Sequence, residues 1–475
     1  LKQINGSVEI SFQSLRPSLE ELSIDFSSNM FIDSITGNMS HFTHDNNLIT
    51  IILNTTLASE DHGKIKIYYH GLPISGGFGA FGFDTQDEEL ATPIIWSLSE
   101  PYFARNWWPC KDTPSDKADS ASIKLTVPSN LYAVSNGSLI QIRDNSDGTR
   151  TFHWFESHPI TTYLISVAIS EYRIISDYFH YNDDSMQVNF YTYPKDIDNA
   201  QNMMAGTIDM IEFFSDIYGL YPFINEKYGI AQFPWGGGME HQTVSSQGNF
   251  GEVLTVHELA HQWFGDMITN ANWHEIWLNE GFASYSEALY FEYKYGKEYY
   301  NTYMTWMDRD FSYPIWVDDT TNVSRIFDIT VYDKAGWFLH MLRYITGDEL
   351  FFDIIKTYAN DPRFKYGNAT TTGFQNVCES VSGMDLDYFF DSWIFFAGRP
   401  NYQIEWNSTD SADLYITNIL VKQLQYPSNI IFPMPLEFQL QFGNYDSTVR
   451  VFNDQPEQTY IFTSKFKTTG LLFDS

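Results

Sequence analysis

The segment Val256-His257-Glu258-Leu259-Ala260-His261 constrains this chain more than any other. Residues i and i+4 share one helix face, so a helix here brings the imidazoles of His257 and His261 to one metal ion. Glu258 projects beside them, where a carboxylate can take a proton from metal-activated water. Glu280 follows after eighteen intervening residues, in Trp277-Leu278-Asn279-Glu280-Gly281-Phe282-Ala283, which reads as the start of the next helix. Packed back against the first, that helix supplies a third ligand. Two imidazoles and one carboxylate leave one position of a tetrahedral zinc open, the pattern of catalytic rather than structural sites. The competing reading is an amphipathic core helix with two ordinary buried histidines. Against it, Val253, Val256, Leu259, Ala260 and Phe264 already form an apolar stripe, which the histidines interrupt. The added Glu280 decides for zinc, one ion per chain.

The rest of the chain has room for more than this one site. Its 475 residues exceed what one core normally serves, so two to four domains are expected. Up to about residue 185 the pattern is β: Ser7–Phe12, Leu22–Phe26 and Ile65–Tyr69 alternate with period two. Asp144-Asn145-Ser146-Asp147-Gly148 signals a hairpin turn. Helical spacing follows: Met204, Ile208, Ile211 and Phe214 mark one face of a helix that stops near Gly219. A strand over Tyr228–Phe233 leads into Gly236-Gly237-Gly238-Met239-Glu240-His241, and helices continue to about Phe396. Gly398-Arg399-Pro400 breaks that pattern, and strands return from Tyr402, consistent with a small β-sandwich.

Charge narrows the partners. With 27 basic against 60 acidic residues the net charge is −33, which disfavours nucleic acid and anionic membranes. Attraction of cationic peptides and a general adaptation for solubility both account for it. No apolar run of about 18 residues suggests a transmembrane helix. The chain starts at Leu1 with no leader pattern and reads as a processed product, secreted or periplasmic, with the cytoplasm as the alternative. It is expected to be a monomer. Cys110 and Cys378 fit no metal-binding spacing, and a disulfide between them has no support in the sequence. Asn38, Asn54, Asn136 and Asn368 occupy glycosylation sequons, which matter only in a eukaryotic secretory setting.

Taken singly, other polar residues carry little. Glu240 closes a glycine strip, where backbone approaches a ligand closely and a carboxylate could grip an ammonium, but solvated Glu in such turns is common. Glu100 is unremarkable alone, and Tyr332 reads as a core aromatic at a helix start.

Five motifs in register change this. Glu100-Pro101 with Ala104-Arg105 and Pro109-Cys110-Lys111-Asp112-Thr113-Pro114 comes first. Gly237-Gly238-Met239-Glu240-His241, the His-Glu-x-x-His segment, Asn279-Glu280-Gly281-Phe282-Ala283 and Tyr332-Asp333-Lys334 follow. In these the chain resembles the zinc aminopeptidases of the aminopeptidase N family, gluzincins that also include leukotriene hydrolase. The resemblance implies that His257, His261 and Glu280 bind zinc and that Glu258 is the general base. It implies that Glu100 and Glu240 hold the free amino group of a peptide substrate. Gly237, Gly238 and Met239 would line the peptide as a strand-like edge, and Tyr332 would stabilise the oxyanion. Asp266 and Asn279 are expected to orient ligands, and Pro234 and Trp235 are candidates for the specificity wall. His241 departs from the family, which has Asn there. The first strand of the N-terminal domain and a helical domain roofing the site are expected to be missing, which would leave the site more open.

The expected architecture is multidomain α+β. It comprises an N-terminal antiparallel β-domain (1–185), a thermolysin-like, mostly helical zinc domain (186–398) and a small C-terminal β-sandwich (399–475). The expected activity is hydrolysis of N-terminal peptide bonds. Two alternatives share the same motifs. An epoxide hydrolase on the same zinc needs a long lipid pocket that no feature supports, and a catalytically silent peptide-binding relative usually loses ligands or base, all present here.

Overall fold

Period-two alternation from Ile4 to Gln13 folds as it reads. In the computed structural model, which describes residues 2–86, 92–425 and 430–473, this strand alternates between half-buried and exposed positions. It pairs antiparallel with His62–Gly71, which also pairs with Phe31–Gly37. A second three-stranded sheet joins Leu19–Asp25, Leu48–Leu57 and His41–Asp45. Both sheets bury isoleucines in one small core, Ile24, Ile49, Ile51, Ile65 and Ile67, closed by Phe26 and Tyr69. Two further sheets complete the N-terminal region, one of them carrying Pro93–Leu98, whose end leads directly to Glu100.

The next sheet has five strands. Arg173–Tyr181 and Asp184–Thr192 form a hairpin, and the latter runs parallel to Lys227–Gln232. Ser245–Gln247 extends the sheet, and Gly238–Met239 pairs antiparallel with it as the outermost strand. A cut between 185 and 186 therefore falls inside a hairpin whose strands share the catalytic sheet. Period two carries no mark of which sheet a strand joins, so that boundary was not readable from alternation.

Helices cover this sheet. α1 (Ile197–Tyr218) buries Met204, Ile211 and Phe214 and ends at Gly219, whose φ of 112° suits a residue without Cβ. α2 (Glu252–Ala260) carries His257 and Glu258, with His261 capping its end, and α3 (Trp277–Tyr295) packs against it. A π-helical turn, Thr330–Lys334, leads into the helix Ala335–Thr346. One hydrophobic core continues from Phe81 in the N-terminal region through these helices to Leu440.

From Tyr402 two three-stranded antiparallel sheets form a small sandwich, sharing Ile419, Val421, Phe438 and Leu440 with that core. Cys110 and Cys378 are both buried and unbonded. Among the described residues no helix is long and apolar enough to cross a membrane. Asn136 is fully buried: its amide donates to the carbonyls of Leu164 and Gln242 and its oxygen accepts from the Ser166 N–H. It pins the N-terminal domain to the catalytic domain, and its sequon has no exposed amide.

Candidate active site

α2 is short and sits above the sheet edge, so one face carries donors while the other packs. Val256, Leu259 and Ala260 are fully buried, whereas Val253 is 44% exposed and lines the cavity instead of the expected stripe. His257 and His261 stand one turn apart with ring centroids separated by 4.7 Å. Glu280 lies in the first turn of α3, where the positive end of the helix dipole favours a carboxylate. Its Oε2 is 3.3 Å from His257 Nε2 and 3.4 Å from His261 Nε2.

What faces the imidazoles from behind fixes which nitrogen points at Glu280. Glu287 Oε1 is 2.6 Å from His257 Nδ1, and the Phe264 carbonyl is 3.0 Å from His261 Nδ1. Tyr303 donates its hydroxyl to the other oxygen of Glu287. Such backing selects the tautomer that leaves Nε2 free to ligate. Glu287 was missed in the sequence, although it lies two turns beyond Glu280 on α3 and so on the same face. Asn279 does not reach a ligand. It bonds Asn270 and the Tyr163 hydroxyl, bracing the start of α3. Asp266 is buried with neither carboxylate oxygen hydrogen-bonded.

The chemistry of this donor set fits a zinc-class cation. Two imidazole nitrogens and one carboxylate oxygen converge within 4.8 Å of one another, with Nδ1 tied down on both rings. The Glu280 carboxyl, despite burial, is held down to about 2 by His261 and by hydrogen bonds from both rings.

Glu258 stands beside the trio, buried, with Oε2 unpartnered. Burial pushes its carboxyl up to about 8, against the pull of His257 and His261. Gly238 makes room for it: a Cβ on Gly238 would fall 2.1 Å from Glu258 Oε1. At Gly237 a Cβ would strike the Trp235 ring at 2.2 Å. The glycine strip is thus a steric requirement of the site, and the edge position of Gly238–Met239 leaves backbone groups facing outward for another extended chain.

Glu100 and Glu240 come from different domains yet meet here. With Glu280 they offer carboxylate oxygens within 4.8 Å of one another. Both are buried, both keep an unpartnered Oε1, and burial followed by neighbouring carboxylates raises the Glu100 carboxyl well above its usual range. Burial raises Glu240 as well, with His261 opposing. Two buried carboxylates, each with one oxygen that no donor reaches, form a socket for a cation of ammonium size.

Tyr332 sits on the π-turn, its ring stacked over His257 at 6.1 Å. Such turns displace one residue from helical register and recur at functional sites. Burial, then Glu280 and Glu100, push its hydroxyl upward, so it remains a proton donor. All these groups line one cavity of about 540 Å³, with Phe78, Leu98 and Trp235 as apolar wall. Pro234 is not part of that lining. Phe78 and Leu98 were missed, because nothing local in the sequence marks an N-terminal-domain residue as reaching the catalytic cavity. His241 is fully buried, its Nδ1 2.9 Å from Ser246 Oγ, so it supports the glycine strip from behind.

Other proteins share this plan. Human endoplasmic reticulum aminopeptidase 1 is 28% identical over 341 residues, covering 65% of this chain and 36% of that protein. Aminopeptidase M1-B of Oryza sativa subsp. japonica is 27% identical over 427 residues, covering 83% and 47%. Aminopeptidase N of Haemonchus contortus is 27% identical over 409 residues, covering 76% and 41%. The chain therefore spans less than half the length of these curated relatives. A solved M1 zinc metallopeptidase from Deinococcus radiodurans superposes with a TM-score of 0.73 at 23% identity, over 84% of this chain and 91% of that one. The peptidase M1 N-terminal domain matches residues 1–164 and the peptidase family M1 domain residues 206–393. Those matches take in both the β-region that carries Glu100 and the helices that carry the donor trio, and the chain belongs to the peptidase M1 family.

Proposed function

We propose that the chain is a zinc aminopeptidase that removes the first residue of peptides with a free amino terminus. The observation that carries this reading is the pair Glu100 and Glu240, buried, unpartnered and clustered against Glu280. A peptide whose ammonium enters that socket has its first peptide bond, and no later one, beside the donor trio.

His257, His261 and Glu280 hold one zinc, which when bound supplies Lewis-acid activation of water and of the scissile carbonyl. Glu258 accepts the water's proton at its unpartnered carboxylate oxygen and returns it to the leaving amine. Tyr332 donates its hydroxyl hydrogen to the oxygen that becomes negative as the carbonyl carbon turns tetrahedral. Glu100 and Glu240 fix the ammonium, and the edge strand Gly238–Met239 holds the peptide backbone extended. The same trio would serve an epoxide substrate, but a carboxylate socket for a cation has no use there.

Matched aminoacyl-anilides with free and N-acetylated amino groups test the reading. A charge-assisted contact of this kind is worth roughly 1.5–3 kcal/mol. Wild type should turn over only the free amine, and Glu240→Ala should lose much of that discrimination while keeping its zinc. Efficient cleavage of N-acetylated or internal bonds by wild type would make the chain an endopeptidase and overturn the assignment.

A further inference from the structure

A second group of metal-type donors lies away from the cavity, where the N-terminal domain meets the catalytic sheet. Glu156 ends the strand Thr149–Glu156, His158 follows two residues later, and Glu226 immediately precedes the strand Lys227–Gln232. Their donor atoms all lie within 4.8 Å of one another. His158 Nδ1 is 3.3 Å from Glu226 Oε1 and 3.6 Å from Glu156 Oε1. The catalytic trio has nearly the same spacing, 3.3 Å and 3.4 Å. Donors about 2.1 Å from a tetrahedral cation stand roughly 3.4 Å apart, so both groups have the dimensions of a coordination shell.

The carboxylates are left incomplete by the protein alone. Glu156 Oε2 and Glu226 Oε2 are buried and no N–H or hydroxyl reaches either, so the two carboxyls hydrogen-bond only to each other there, through one shared proton. The Glu156 side chain is 0% exposed and that of Glu226 3%. Their other oxygens are served: Glu156 Oε1 accepts from the His158 N–H, and Glu226 Oε1 accepts from the Ser157 N–H and hydroxyl. Lys227 is buried nearby, but its ammonium is committed to the carbonyls of Ser135 and Thr243 and to the Thr243 hydroxyl. Among the described residues no lysine or arginine stands within ion-pair distance of either carboxylate, although the buried Lys227 charge acts on both; His158 is the only ion-pair partner of the two. Two buried carboxyls in contact must keep a proton between them unless a cation takes its place, and a bound metal ion does so.

We propose that Glu156, His158 and Glu226 form a second metal site that takes a divalent first-row transition ion of the zinc class. One imidazole nitrogen among carboxylates favours such an ion over calcium or magnesium, which prefer shells made wholly of oxygen. His158 is held for this role, its ring stacked on Tyr366 at 5.1 Å and edge-on to Phe223. Its side chain is 19% exposed, which leaves an entry for the ion. Ligands from a strand of the N-terminal domain and from the lead-in to a catalytic strand make the ion a clamp between the two domains. It takes no part in the reaction proposed for the cavity.

The experiment is a zinc count on the whole chain, stripped with chelator and titrated with Zn²⁺ against a chromophoric competitor. Wild type should bind one equivalent more than His158→Ala or Glu226→Gln, whatever the catalytic trio holds. Excess Zn²⁺ should also raise the melting temperature of wild type further than that of either variant. His158→Ala, which alters a ring at the domain margin, carries the test if Glu226→Gln fails to fold. Equal zinc counts and equal melting shifts in wild type and His158→Ala would overturn the proposal, since zinc scattered over the acidic surface survives that substitution.

Discussion

Substituting alanine for Gly238 tests the geometry of the proposed general base, Glu258, without replacing it. The added Cβ would lie 2.1 Å from Glu258 Oε1, 2.4 Å from Cδ and 2.7 Å from Cγ, where ordinary contact begins near 3.4 Å. The Glu258 carboxylate must therefore retreat by about 1.3 Å, the difference between those distances. Gly238 cannot yield instead, because it pairs with Gln247 at the sheet edge. Its φ lies outside the left-handed region, so alanine adds no backbone strain. The clash is with the end of a flexible side chain, and stability should change by no more than about 1 kcal/mol. Catalysis should not be so tolerant. A displacement of about 1 Å typically costs about 10²-fold, or about 2.7 kcal/mol in the barrier. Steady-state kinetics on an aminoacyl-anilide, with zinc content and melting temperature measured alongside, should show kcat down about a hundredfold with metal and fold intact. The same substitution in a Glu258→Gln background should cost little more, because both changes act on one group. A Gly238→Ala enzyme with full zinc and near-normal kcat would refute the placement of Glu258 as the base.

Three further outcomes are expected. Tyr332→Phe should lower kcat by about 10²–10³ with little change in KM, since its hydrogen bond strengthens on charge present only in the transition state; a loss mainly in KM would return Tyr332 to a packing role. Glu287→Ala leaves the three proposed ligands in place but frees His257 Nδ1, so chelator competition should show zinc affinity reduced about 10–100-fold. Burial depresses His241 to about 3 and His340 to about 4, both below the unfolded value near 6.5, so the unfolded chain takes up protons first and stability falls as pH drops from 6.5. At pH 5 the His241 share is about 2 kcal/mol, and urea melts at pH 5 and 7.5 should show His241→Asn losing less stability than wild type over that interval.

How far the sequence could be read depends on the distance over which each feature is encoded. The donor trio was legible because two of its members share a helix turn and the third opens the next helix. Glu287 follows the same rule at two turns from Glu280 and was within reach of it. The period-two strands of the N-terminal and C-terminal regions were equally local, and they appear as sheets where alternation placed them. The boundary near residue 185 was not local. The strands Arg173–Tyr181 and Asp184–Thr192 look like their predecessors in pattern, and only pairing with Lys227–Gln232 assigns them to the catalytic sheet.

Burial at domain contacts is the property that one-dimensional pattern conveys least. Asn136 carries a sequon yet makes three buried hydrogen bonds, one of them across a domain junction, and nothing in Asn-Gly-Ser distinguishes it from an exposed site. Phe78 and Leu98 belong to the N-terminal region and wall the catalytic cavity. Glu156, His158 and Glu226 show the same limit most clearly. Glu226 lies seventy positions after Glu156, and no helix turn or loop spacing relates them. Their donors converge only because strand Thr149–Glu156 docks beside the lead-in to Lys227–Gln232. A metal site built on one helix writes its spacing into the chain, whereas one built across two domains leaves only scattered carboxylates and a histidine. In a chain with 60 acidic residues such a group is indistinguishable from the background until the fold brings its members together.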